Sequence, residues 1–180
     1  MKLKKSAIII IAILLIITLF FMSRKNMKEN TKVQIETNFG NLVIELDNKN
    51  MPITAGNFET LVKKGFYDNT IFHRIIPGFM IQGGDPTGTG SGGPGYKIKD
   101  EFTKNNRNDR RTIAMANAGP NTGGSQFFIN LVNNNFLDTK HPVFGKITQG
   151  MDIVDKIAQV KTNSNDKPLE DVKIVKAKIL

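Results

Sequence analysis

The chain of 180 residues is 39% hydrophobic and 23% charged, which suits one folded domain with a short tail. The absence of cysteine excludes a disulfide framework, a thiolate metal site and a cysteine nucleophile. The formal net charge is +9, but residues 1–28 contain six basic residues and no acidic one. The remaining 19 basic and 16 acidic residues leave a balance of +3, which predicts no nucleic-acid partner. The basic run at residues 104–111 is interpreted as a solvated loop.

The N-terminus has the composition of a membrane signal. A basic leader over residues 1–6 precedes an apolar run over residues 7–22 in which Thr18 is the one polar residue. With its edge residues this run reaches the length of a spanning helix. Bulky residues where a cleavage site needs small ones favour an uncleaved anchor over a cleaved secretory signal. We therefore predict a transmembrane signal anchor over residues 1–28. The domain at residues 29–180 would lie outside the cytoplasm, tethered to the cell membrane, or would be secreted if the anchor were cut.

The first elements of the domain are a hairpin and a helix. Apolar and polar residues alternate on both sides of a turn over residues 32–47, which predicts two antiparallel strands with one buried face. Pro52 is well placed for a first helical turn, and Gly65 for a helix end. A helical stripe of apolar residues lies between them.

The rest of the domain consists of short strands and one further helix. Strands are predicted at residues 71–76, 80–82, 112–117, 126–131, 143–147 and 172–179. A Gly-rich loop covers residues 85–95, and a second amphipathic helix covers residues 153–158. Many short strands with two helices predict a barrel or a sandwich.

Three sequence blocks carry a family resemblance. They are FHRIIPGFMIQGGD at residues 72–85, MANAGPNT and GSQFFI at residues 115–129, and FLD followed by KHPVFGK at residues 136–146. In order and spacing these blocks resemble the cyclophilins, and the compact loops resemble the short prokaryotic members of that family. The resemblance covers about residue 32 to residue 180. It implies a closed eight-stranded antiparallel β-barrel capped by two α-helices, here preceded by the N-terminal membrane helix.

The resemblance also implies an activity and a site. The activity is peptidyl-prolyl cis-trans isomerisation of proline-containing polypeptides, without cofactor or metal, by a protein expected to be a monomer. Three residues would be catalytic: Arg74, Phe79 and Gln82. The substrate-binding residues would be Met80, Ala116, Asn117, Ala118, Gln126, Phe128, Phe136, Leu137 and His141.

These residue types suit the rotation of an X-Pro bond, in which no covalent bond is made or broken. When the amide twists, the proline nitrogen regains its lone pair and accepts a hydrogen bond, so a guanidinium at Arg74 would stabilise the twisted state. The ring needs an apolar clamp, which Phe79, Met80 and Phe128 can supply. The family often has tryptophan at Phe136, and this chain has none. We therefore do not expect tight binding of cyclosporin, the characteristic inhibitor of the family.

Competing interpretations carry less weight. The spacing of Gly88, Gly90 and Gly93 fits a dinucleotide motif, but Pro94 follows at once and no helix is predicted there. His73 and His141 lack the spacing of a metal pair, and His73 is interpreted as structural. The alternative function is a chaperone or scaffold that grips proline-containing segments, with isomerisation incidental. Such a protein would tolerate the loss of Arg74.

Overall fold

In the computed structural model, residues 30–180 are described. They form nine strands: β1 Lys32–Thr37, β2 Gly40–Leu46, β3 Thr70–Ile71, β4 Arg74–Ile76, β5 Met80–Gly83, β6 Thr112–Met115, β7 Phe127–Asn130, β8 Val143–Gln149 and β9 Lys173–Ile179. The helices among these residues are α1 Pro52–Lys63, α2 Met151–Ile157 and a 3₁₀ helix at Asn135–Leu137.

The predicted hairpin and first helix are present. β1 pairs with β2 in antiparallel register from Lys32 opposite Glu45 to Thr37 opposite Gly40. Helix α1 starts at Pro52 and ends just before Gly65, whose φ of +67° is the left-handed conformation common after helices. Met51 gives α1 no side-chain cap. The distant carboxylate of Glu101 instead accepts hydrogen bonds from the first-turn amides of the helix.

The strands form one antiparallel sheet in the order β3-β9-β1-β2-β8-β6-β7-β5-β4. The prediction of a closed eight-stranded barrel is therefore wrong, because the sheet has nine strands and is an open half-barrel. The reason lies at Phe72 and His73, where the single strand predicted over residues 71–76 is broken. β3 pairs with β9 and β4 pairs with β5, so the chain changes neighbours between them, and β3 and β4 are the two edge strands of the sheet.

The main core lies between the concave face of the sheet and the two helices. Helix α1 buries Phe58, whose ring lies 4.9–5.4 Å from the rings of Tyr67, Phe127 and Phe144. Helix α2 buries Val154 and Ile157 in the same cluster. A smaller buried cluster of Met80, Ala114 and Phe128 lies apart from this core.

No helix within residues 30–180 is long and apolar enough to cross a bilayer. The membrane helix predicted over residues 1–28 lies outside the described residues.

Candidate active site

A row of four residues crosses the outer face of the sheet. Arg74 on β4 is opposite Gln82 on β5, which is opposite Phe128 on β7, which is opposite Ala114 on β6. Their strand neighbours Ile75, Ile81, Ile129 and Ile113 are fully buried in the main core. Because successive side chains on a strand point to opposite faces, the core residues fix the row on the other side of the sheet.

An apolar pocket of about 320 Å³ lies on this face. Its floor is formed by Met80 and Phe128 of the small buried cluster, against which Phe79 and Leu137 pack. The lining residues are Arg74, Phe79, Met80, Gln82, Ala116, Asn117, Phe128, Leu137 and His141. Its volume is at the lower end for ligand pockets, which suits a group the size of a single ring.

A chain of amide hydrogen bonds borders the pocket. Gln82 Nε2 donates to Gln126 Oε1 at 2.9 Å. Gln126 Nε2 in turn donates to the carbonyls of Gly90 and Gly92, at 3.0 and 2.9 Å. The Gly-rich loop therefore fixes the orientation of both glutamines.

The same loop depends on a buried carboxylate. Asp85 is fully buried and accepts hydrogen bonds from the backbone amides of Thr87, Gly90 and Gly92 and from the Thr87 hydroxyl. Burial opposes ionisation, but these hydrogen bonds outweigh it and hold the pKa of Asp85 below its usual value. A Cβ at Gly92 would come within 2.0 Å of the carboxylate, so only glycine fits there.

A larger cavity of about 930 Å³ adjoins the pocket across Gln82, Ala116 and Asn117. Ala118 and Gln126 line it together with the loop over residues 90–97. The groove thus continues beyond the apolar pocket and can accept further residues of an extended chain.

Arg74 lies at the opposite rim. Its Nε donates to Asp166 Oδ2 at 3.3 Å, and no hydrogen bond within residues 30–180 uses its Nη atoms. Both side chains are partly exposed, at 45% and 40%. Arg74 and Gln82 also line a third cavity of about 400 Å³, with His73 and Lys167.

His141 closes another side of the pocket. Its ring packs edge-on against Phe128, with 5.3 Å between centroids. Its Nδ1 lies 3.0 Å from the carbonyl of Met115. A carbonyl can only accept, so Nδ1 carries the hydrogen and Nε2 is left as an acceptor in the neutral ring. The amide of Asn106, which donates to the carbonyls of Asp138 and His141, ties this segment to the preceding loop.

Phe136 lies at the edge of the groove and does not line the pocket. It belongs to the 3₁₀ helix, is 67% exposed, and stacks on Phe79 with 5.9 Å between centroids. Its contribution is therefore to hold Phe79, the ring that does line the pocket.

The structure brings the predicted site residues to one face. Nine of them line the apolar pocket, Ala118 and Gln126 line the adjoining cavity, and Phe136 contacts Phe79. Three residues that support the site were not predicted from the sequence: Asp166, Asp85 as support for the loop, and Asn106. Turn-forming residues surround Asp166, but no spacing in the sequence connects it with Arg74.

The geometry supports neither a dinucleotide site at the Gly-rich loop nor a metal site at the two histidines. Gly88, Gly90 and Gly93 lie in the loop beside the groove, and no helix follows them before residue 135. Within residues 30–180 no group of three or more potential metal ligands is assembled. His73 is buried, neither ring nitrogen has a hydrogen-bond partner among the described residues, and desolvation lowers its pKa.

The described residues thus form an antiparallel half-barrel with a small apolar pocket on its outer face, beside a guanidinium and an amide. The family described as "Cyclophilin type peptidyl-prolyl cis-trans isomerase/CLD" matches residues 32–179. The chain therefore belongs to the cyclophilin-type peptidyl-prolyl cis-trans isomerases, and its activity is the isomerisation of X-Pro bonds.

Individual relatives agree. Peptidyl-prolyl cis-trans isomerase-like 1 of Gibberella zeae is 51% identical over 154 residues, 83% of this chain and 95% of that protein. The Bos taurus protein of the same name is 49% identical over 149 residues, 81% and 90% of the two chains. A Cryptosporidium parvum cyclophilin-type isomerase superimposes with a TM-score of 0.81 at 39% identity, covering 84% of this chain and 98% of that one. The same protein was also solved in the presence of the dipeptide Ala-Pro, with a TM-score of 0.80.

The relatives overturn the predicted location. A single-pass protein anchored in the cell membrane was expected from residues 1–28. The relatives above are eukaryotic isomerase-like proteins, and they do not support a single-pass membrane protein.

Proposed function

We propose that the pocket holds the proline ring of a polypeptide while Arg74 stabilises the twisted X-Pro amide. The observation that carries the proposal is the row on the outer face, which places Arg74 and Gln82 beside the apolar floor formed by Met80 and Phe128. The domain at residues 29–180 would contain the whole machinery, in keeping with the family match over residues 32–179.

The chemistry requires differential binding only. Rotation about an X-Pro bond has a barrier of about 18–20 kcal/mol because resonance is lost in the twisted amide. The nitrogen becomes pyramidal and basic, and a guanidinium Nη donates to it better than to the planar amide. A hydrogen bond from a charged donor contributes about 1.5–3 kcal/mol, which corresponds to roughly 10- to 150-fold in rate.

The other groove residues would position the substrate. Phe79, Met80, Phe128 and Leu137 would hold the ring in place while the preceding carbonyl turns. Gln82 and Asn117 would orient the chain on either side of the ring, and the adjoining cavity lined by Ala118 and Gln126 would take a neighbouring residue. Desolvation of this pocket by the ring would strengthen the contact to Arg74.

The test is the cis-trans exchange rate of an Ala-Pro peptide, measured by NMR exchange spectroscopy with the full chain. Arg74→Ala should lower the rate about 100-fold while peptide affinity stays within a few-fold. Arg74→Lys should recover only a small part, because an ammonium lacks the planar fork. Arg110→Ala is the matched control, since Arg110 pairs with Asp155 and lines none of the three cavities.

An unchanged rate in Arg74→Ala would refute this assignment. If the peptide still bound to Arg74→Ala, the alternative function, a chaperone or scaffold that binds proline-containing segments, would be preferred.

A further inference from the structure

Asp166 lies in a tight loop between α2 and β9. Asn163 donates to the Lys167 carbonyl at 2.8 Å, and its side-chain oxygen accepts from the amides of Asn165 and Lys167. Asp166 has a φ of +61°, in the left-handed region that aspartate tolerates better than most residues. The loop therefore has a shape of its own that does not depend on Arg74.

This loop is attached to β4 at two successive residues. The amide of Ile75 donates to the Asp166 carbonyl at 2.8 Å, and Nε of Arg74 donates to its carboxylate at 3.3 Å. Because β4 is an edge strand of three residues, paired only with β5, the loop supplies contacts that a second strand would otherwise give.

From these contacts we infer that Asp166 is a positioning residue for isomerisation: its carboxylate holds the Arg74 guanidinium by Nε and leaves both Nη groups for the substrate. This inference rests on the proposed role of Arg74. A planar guanidinium held at Nε loses most of its freedom to rotate, so its Nη groups meet the amide in a fixed direction.

The surroundings of Arg74 show why such a restraint matters. The side chain borders the proline pocket on one side and the 400 Å³ cavity on the other, so an unrestrained arginine has room to leave the groove. A free arginine side chain has large rotational entropy. The ion pair restricts the rotation of the Arg74 side chain before the substrate binds. The pair is too exposed to add much to stability, so orientation is its main effect.

The experiment compares two Asp166 variants in the full chain, with exchange rate at saturating Ala-Pro peptide and peptide affinity measured separately. Asp166→Gly keeps the left-handed backbone and removes the carboxylate. Asp166→Asn keeps an oxygen acceptor and removes the charge. Asp155→Asn breaks the Arg110 ion pair, which lies away from the cavities, and is the matched control. Each variant is checked for folding by its NMR amide spectrum.

We expect Asp166→Gly to lower the exchange rate about twofold to fivefold, with affinity within twofold. Asp166→Asn should restore part of the loss, and Asp155→Asn should change nothing. In an Arg74→Ala background, Asp166→Gly should have no further effect. If Asp166→Gly does not fold, Asp166→Asn provides the test. A reduced exchange rate in that variant would support the inference, and a native exchange rate would overturn it.

Native exchange rates in folded Asp166 variants would overturn the inference while leaving Arg74 in place as the catalytic residue. The inference would fail equally if Asp166→Gly slowed the Arg74→Ala enzyme further, or if it weakened only binding. An active Arg74→Ala variant would instead refute the proposed function itself, and the role of Asp166 with it.

Discussion

Replacing Asp85 by asparagine should destabilise the protein strongly, although the two side chains have nearly the same shape. One carboxylate oxygen accepts from Thr87 twice, at 2.7 and 2.8 Å, and the other accepts from the amides of Gly90 and Gly92, at 2.6 and 3.0 Å. An asparagine has one acceptor oxygen, so its NH₂ group must face either the Gly90 and Gly92 amides, which only donate, or Thr87, whose hydroxyl can accept but whose amide cannot. At least one hydrogen bond is therefore lost, or the loop moves away.

The magnitude follows from these contacts. A hydrogen bond to a charged group contributes about 1.5–3 kcal/mol, so the loss of even one costs about that much. For a chain of this length that corresponds to a fall in Tm of about 3–12 °C. Because Gly90 and Gly92 support Gln126, the exchange rate of a proline peptide should fall as well.

The assay is thermal unfolding of the full chain followed by circular dichroism, with Asp100→Asn as control. Asp100 is an exposed-loop carboxylate that accepts a single amide, from Asn121, and its replacement should shift Tm by less than about 2 °C. Since the folded-state pKa of Asp85 is lowered, its stabilisation is present above pH 3.8 and is lost as pH falls through the folded value. The Tm values of Asp85→Asn and of the Asp100→Asn control, plotted against pH, should therefore converge at acidic pH. A neutral-pH Tm for Asp85→Asn equal to that of the control would refute the reasoning.

Two further predictions concern a histidine and the edge of the groove. Desolvation lowers the pKa of buried His73, so its contribution to stability is full above pH 6.5 and is lost as pH falls below it. Tm should thus decline between pH 7 and pH 5.5, and the decline should be smaller in His73→Phe. Identical declines in the two proteins would show that His73 is not the residue responsible. Phe136→Trp should strengthen inhibition by cyclosporin about tenfold in the exchange assay, because it adds an indole N–H donor at an exposed position. Unchanged inhibition, or tight inhibition of the unaltered chain, would show that this position does not control cyclosporin binding.

Local signals predicted much of the fold. Strict alternation predicted the β1–β2 hairpin, and Pro52 and Gly65 delimited α1 correctly. The same period of two separates the neighbours Phe127, in the main core, and Phe128, in the small cluster on the other face. The strand count could not be obtained in this way, because no turn-forming residue interrupts residues 71–76 and the run reads as one strand. Only the choice of neighbouring strand, a long-range property, divides that run into β3 and β4.

The candidate site was predictable where its residues lie in contiguous blocks, and unpredictable where distant segments meet. Arg74, Phe79 and Gln82 come from one block. The strand pleat directs Arg74 and Gln82 to the outer face, and the turn before β5 carries Phe79. Asp166 lies 92 positions from Arg74, and only the pairing of its loop with β4 brings the two together. The 3₁₀ helix carrying Phe136 was also missed, since three residues are too few for a periodic signal.

The placement of the groove on the outer face has a consequence for how the sequence can vary. The inward residues Ile81, Phe127 and Ile129 stabilise the fold, whereas their strand neighbours Gln82 and Phe128 line the pocket. A substitution at an outward position removes little of the main core, so activity and stability can change independently there. Arg74 differs from these outward residues because it lies on an edge strand that pairs on one side only. An arginine at such a position needs a restraint from outside the sheet, and the loop carrying Asp166 is the segment that contacts it.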